Sequence, residues 1–155
     1  MDRIDPQQAR QVWQRVQAGQ SPEENEDALA RLSAGEWEAA AMLELLARRT
    51  GGKYPTALRA LAGHSRSRWA CLQAMALLRD GKRLAHVHPD STGAAAQELL
   101  RRCCENSLTR LHLYEAQTGR GGSVMMLLAQ EQARDYRALL ELLGNWQDHP
   151  PGLPR

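Results

Sequence analysis

Two stretches of this chain carry an apolar stripe at helical spacing and break it in the middle with a polar pair. Met125, Leu128, Leu139 and Leu142 form one stripe, and Gln132 and Asp135 fall inside it at the same steps. Leu58, Leu61, Leu72 and Met75 form the other, interrupted by Ser65 and Arg68. Apolar recurrence at three- and four-residue steps predicts amphipathic helices. Polar i, i+3 pairs at the buried centres of two such helices predict a four-helix bundle with a site in its core.

The punctuation divides the chain accordingly. Residues 5–18 read as a short N-terminal helix with Val12, Trp13 and Val16 on one side, stopped by Gly19. Ser21-Pro22-Glu23-Glu24 is a helix-start signal, and Ser33-Ala34-Gly35-Glu36 repeats a capping-box pattern, so the first long helix starts at one or the other. It runs to Arg49 and a Gly-Gly turn; the second runs from Pro55 to about Arg79, the third from Ala94 to Gln117, and the fourth from Ser123 to Leu143. The bundle spans 23–143 of a single domain, 1–155, and the proline-containing tail 145–155 reads as flexible. The second helix is about 37 Å long, and the connection from Asp80 to Thr92 reaches about 43 Å when extended. The third helix can therefore start at the opposite end. Two hairpin pairs with one long crossover is ferritin-like connectivity.

Composition narrows the class. The 155 residues contain no Phe, and Ala and Leu dominate, so an all-α fold is expected. The net charge of +2, from 20 basic and 18 acidic residues spread along the chain, gives no electrostatic case for nucleic acid. No apolar run approaches the roughly 20 residues of a membrane span, and MDRIDPQQARQVW lacks a secretory apolar core. Cys71, Cys103 and Cys104 have no metal-ligand spacing, so reduced thiols in a cytoplasm are expected. His86 and His88, with Asp90, sit on the crossover at a spacing that is weak evidence for a metal. Trp69, Tyr136 and Trp13 read as packing residues, because no basic stripe runs between them.

The halves also repeat. Glu36 leads through Leu43 to one Gly-Gly turn, and Glu105 leads through His112 to another. After the turns, LRALAGHSRSRWACL parallels MLLAQEQARDYRALL, which matches Ser65 with Gln132 and Arg68 with Asp135.

Over roughly residues 28–143 this pattern resembles the rubrerythrin-like branch of the ferritin-like superfamily, and more narrowly its short bacterial members. There each half reads Glu, six residues, Tyr, a turn, then Glu-x-x-His. The resemblance implies a core holding two iron or manganese ions between a Glu from each of two helices and a Glu-x-x-His from each of the others. Here Glu36 and Glu105 stand at the lone glutamates, Ser65 and Arg68 at the first Glu-x-x-His, and Gln132 and Asp135 at the second. Leu43 and His112 stand where the Tyr stands. A guanidinium stays protonated and repels a metal, so Arg68 marks these six positions as vestigial. The expectation is a bundle that has lost its di-iron site, binds no cofactor and acts as a binding or scaffold module. It is expected not to be an enzyme and to have no nucleic-acid or membrane partner, with a homodimer open. The alternative is a rubrerythrin-type redox or metal-binding protein, an oxidoreductase or peroxidase if an enzyme, with a weak iron or manganese site from Glu36, Glu105 and Asp135. Without the metals those carboxylates repel one another. Arg68 is then placed to bridge Asp135 and at least one of Glu36 and Glu105.

Overall fold

A computed structural model describes residues 6–7, 22–86, 93–119 and 122–152. The described residues form four helices and no strand: α1 Pro22–Arg48, α2 Tyr54–Asp80, α3 Ala96–Thr118 and α4 Gly122–Asp148. The predicted N-terminal helix, 5–18, lies outside the described residues apart from Pro6 and Gln7, as do His88 and Asp90.

Local chemistry sets most of the ends. Pro22 opens α1, where its missing N–H removes no hydrogen bond. After Arg48, the Thr50 hydroxyl donates to the Leu46 carbonyl (3.0 Å), satisfying one group of the open last turn. Gly81 closes α2 in the left-handed region at φ 66°, and its N–H donates to the Leu77 carbonyl. Two boundaries depart from the predicted ones. Helix α1 passes straight through Ser33 and Gly35, so the second capping-box pattern lies mid-helix and Ser33 is fully buried. Helix α4 continues through Gly144 to Asp148, four residues into the segment expected to be loose. Trp146 there is buried in edge contact with Tyr54 (5.4 Å between centroids). The Tyr54 hydroxyl also donates to the His149 carbonyl (2.8 Å). Burying an aromatic side chain contributes about 1.5–3 kcal/mol, which outweighs the cost of about 1 kcal/mol for a helical Gly.

Two apolar clusters show how the helices run. Leu46 from the end of α1, Leu58 from the start of α2, Leu99 and Leu100 from the start of α3, and Leu139 and Trp146 from the end of α4 share one end of the bundle. Leu29 and Leu32 of α1, Leu72 of α2, Tyr114 of α3, and Met125 and Leu128 of α4 share the other. Helix α1 is therefore antiparallel to α2, and α3 to α4, while α2 and α3 point the same way. The connection between α2 and α3 starts at one end of the bundle and finishes at the other. Gln73 holds Leu84 by two hydrogen bonds, accepting from the Leu84 N–H (2.9 Å) and donating to its carbonyl (3.1 Å). The His86 ring lies against Trp37 (4.2 Å) and Trp69 (5.7 Å), one turn further back along α2. Near the start of α3, Arg49 donates to the Ala94 carbonyl (2.9 Å). The described parts of this segment, 81–86 and 93–95, leave α2 at one end of the bundle and enter α3 at the other.

The seams differ in closeness. Helices α1 and α2 pack tightly, as do α3 and α4; α1 also packs on α3, and the α2–α4 seam is much looser.

Candidate functional site

Between the two apolar ends, every helix contributes a buried polar pair three residues apart: Ser33 and Glu36, Ser65 and Arg68, Ser107 and Arg110, Gln132 and Asp135. Residues at i and i+3 share a helix face, so each pair points inward together.

Arg68 is the hub, at 1 % exposure. Its Nε donates to Glu36 Oε1 (2.8 Å), and its Nη1 lies 2.7 Å from Asp135 Oδ2 as an ion pair. Its Nη2 donates to Ser65 Oγ (3.4 Å). The Tyr114 hydroxyl donates to the same Glu36 oxygen (3.0 Å), and Arg110 Nε stands 3.6 Å from it. On the solvent side, His64 Nδ1 lies 2.9 Å from Asp135 Oδ1. Beside this hub, Gln132 Nε2 donates to the hydroxyl and the carbonyl of Ser107 (2.6 and 3.2 Å). Glu36 Oε2 and Gln132 Oε1 accept no hydrogen bond from a described protein group.

Electrostatics follow from burial and pairing. Burial alone disfavours the Arg68 charge, but Glu36 and Asp135 override it and hold the guanidinium above its ordinary range. Burial, then the Glu36 carboxylate, pushes the Tyr114 phenol well up, so it is a neutral donor. Two carboxylates (Glu36, Asp135) face two guanidinium groups (Arg68, Arg110), and the layer balances its own charge. Gly35 makes room for this: a Cβ there would sit 2.9 Å from Arg110 Cδ. The absence of a side chain lets α1 and α3 approach with Arg110 lying across the gap.

The six positions singled out in the sequence divide five to one. Glu36, Ser65, Arg68, Gln132 and Asp135 are all buried at the centre, whereas Glu105 is exposed on α3. The trio Glu36, Glu105 and Asp135 is therefore not gathered. The cause is a register error of two residues in one helix pair. Between α2 and α4 the predicted register holds: Leu58, Leu61, Ser65, Arg68 and Leu72 are buried, and so are Met125, Leu128, Gln132, Asp135 and Leu139. Between α1 and α3 the buried positions match at a spacing of 71 residues, pairing Leu29 with Leu100, Leu32 with Cys103, Glu36 with Ser107 and Leu43 with Tyr114. Two residues are about 200° of helix rotation, enough to turn a core position outward.

The chain matches no family model, no curated protein and no solved structure. Its likeness to the rubrerythrin-like pattern thus rests on its own residues. In the 71-residue register, Ser107, not Glu105, matches Glu36, and Tyr114, seven residues beyond Ser107, matches Leu43. That spacing, Ser107-x6-Tyr114, was legible in the sequence and would have located Tyr114. Ser33 and Arg110, also missed, lie three residues from Glu36 and Ser107.

A di-metal centre does not fit these residues. The space between Glu36 and Asp135 is filled by a guanidinium that bonds Glu36 Oε1 and pairs with Asp135 Oδ2, and His64 meets Asp135 Oδ1 from the solvent side. Hard cations require oxygen donors free to converge on them. Here one oxygen each of Glu36, Ser65 and Asp135 converges on Arg68.

Proposed function

We propose that this chain is a ferritin-like bundle of the rubrerythrin-like kind whose di-metal centre has been replaced by an internal ion pair, and that it acts as a binding or scaffold module. The observation that carries the reading is Arg68, held between Glu36 and Asp135 at positions that correspond to metal ligands in the resembled pattern. The crossover between opposite ends of the bundle supports the ferritin-like part, and Tyr114 at the family's Tyr position supports the rubrerythrin-like part. A layer kept for stability alone would serve better as apolar packing. Its persistence, with unpaired acceptors on Glu36 and Gln132, is what a converted metal site leaves behind. No cofactor, nucleic acid or membrane enters the reading, and three free cysteines accord with a cytoplasmic setting. No described helix is long and apolar enough to cross a membrane.

The test is metal analysis of protein purified without chelator or affinity tag. Iron and manganese far below one ion per chain are expected; stoichiometric iron or manganese would overturn the reading. In parallel, Arg68→Ala, which frees the oxygens of Glu36 and Asp135, is expected to gain affinity for a divalent ion that the natural chain lacks.

A further inference from the structure

Helices α2 and α4 meet loosely, and three large apolar side chains stand exposed along their outer edges: Val124 (41 %), Leu127 (60 %) and Leu78 (88 %). Val124, Leu127, Glu131, Arg134 and Ala138 follow one another at three- and four-residue steps, so they share one face of α4. That face borders α2. Its first four residues line a groove of about 410 Å³ between the helices, together with Cys71. Burial first, and then the charge of Glu131, push the Cys71 thiol up, so Glu131 stands close beside it. Glu131 and Arg134 are both exposed, and among the described residues neither is ion-paired. Neighbouring exposed apolar side chains rimmed by charge mark an interaction surface.

We infer that this face docks a second copy of the chain, with α4 antiparallel to the partner's α4 about a twofold axis that passes between Glu131 and Arg134. In a twofold interface residue i meets residue j and j meets i. The steps along the face are symmetric about that axis: it carries position 131 onto 134 and position 127 onto 138. Glu131 therefore meets the partner's Arg134, and Arg134 meets the partner's Glu131, which closes two ion pairs that the single chain leaves open. A purely acidic or purely basic partner would satisfy one of these charges and oppose the other; a second copy satisfies both. Leu127 meets the partner's Ala138, a large side chain against a small one, so the two helices can approach to about 8–10 Å. The size is also sufficient. Helix α4 is about 40 Å long, and a face of that length and two helices, or about 20 Å, in width offers roughly 800 Å² per protomer, the area of a stable interface. The inference holds whether or not the bundle once carried a metal.

Sedimentation equilibrium of the full chain tests this. The natural chain is expected to form a dimer with a dissociation constant in the micromolar range or below, and Leu127→Glu to weaken it by about tenfold or more. Glu131→Arg and Arg134→Glu, each alone, place like charges across the axis and are expected to weaken the dimer to a similar degree. Both positions are exposed, so neither substitution removes a core contact. An equimolar mixture of these two variants is the decisive arm. Each brings the charge that the other lacks at both contacts, so a heterodimer about as tight as the natural dimer is expected. A natural chain that stays monomeric up to millimolar concentration would overturn the inference and leave the face to another occupant. So would a dimer that Leu127→Glu and the charge reversals leave intact, or a mixture that associates no better than either variant alone.

Discussion

Two arginines two residues apart on α2 reach for glutamates of α1 at the same distance, one at the centre of the bundle and one at its edge. Arg68 lies 2.8 Å from Glu36, and Arg66 lies 2.8 Å from Glu44. The side chains of the first pair are 1 % and 0 % exposed; those of the second are 50 % and 31 % exposed. At the edge, water screens the attraction and solvates either partner left alone. At the centre neither partner has water to return to, and Arg68 also holds Asp135 and Ser65. Distance does not distinguish the contacts; surroundings do.

Removing each arginine in turn is the strongest challenge to that contrast. Arg68→Ala leaves Glu36 and Asp135 uncompensated and is expected to cost about 3–5 kcal/mol, read as a large fall in melting temperature and denaturation midpoint. A near-wild-type midpoint would show that the centre is as well solvated as the edge.

Tyr114→Phe sharpens the same point without removing a charge. Glu36 loses one donor, at an expected cost of about 1.5–3 kcal/mol in denaturant titration. The effect has a pH signature. Burial and Glu36 hold the Tyr114 phenol above its unfolded value, so the folded state keeps its proton longer. The stability this contributes is fully present below about pH 10 and is lost as the pH rises further. The gap between wild type and Tyr114→Phe should therefore narrow in alkaline solution; a gap that widens would mean that Tyr114 does not donate to Glu36.

Gly35→Ala probes how closely the layer is packed. A methyl group would press on Arg110 Cδ, with an expected cost of about 1–3 kcal/mol, and most of that cost should vanish in an Arg110→Ala background. A double-mutant cycle showing additive effects would contradict the close approach of α1 and α3. The smallest effect belongs to the edge: Arg66→Ala is expected to change stability by at most about 1 kcal/mol, and less at high salt.

How much of this was legible beforehand varied by helix. The stripes of α2 and α4 are long and broken in the same place, so their register, and with it Ser65, Arg68, Gln132 and Asp135, could be read directly. Helix α3 lacks such a stripe. Its apolar residues fall on two neighbouring lines, and Glu105 beside Cys104 aligned with Glu36 as readily as Ser107 did. A mid-helix Ser is weak punctuation, because Ser both caps helices and fits inside close-packed ones. For that reason the sequence around Ser33 reads equally well as a helix start.

The sequence by itself determined the all-α composition, the pairing of the helices across short turns, and the presence of a cation, Arg68, on a stripe that also carries Ser65. These depend on periodicity and on residue chemistry, which are local. Only the tertiary structure decided which face of α3 turns inward, that Tyr114 and Arg110 join Glu36, that Trp146 carries α4 past Gly144, and that the α2–α4 seam stays open. Each of those depends on how two helices approach and rotate against one another, and a rotation of half a turn exchanges core for surface while leaving the one-dimensional pattern almost unchanged.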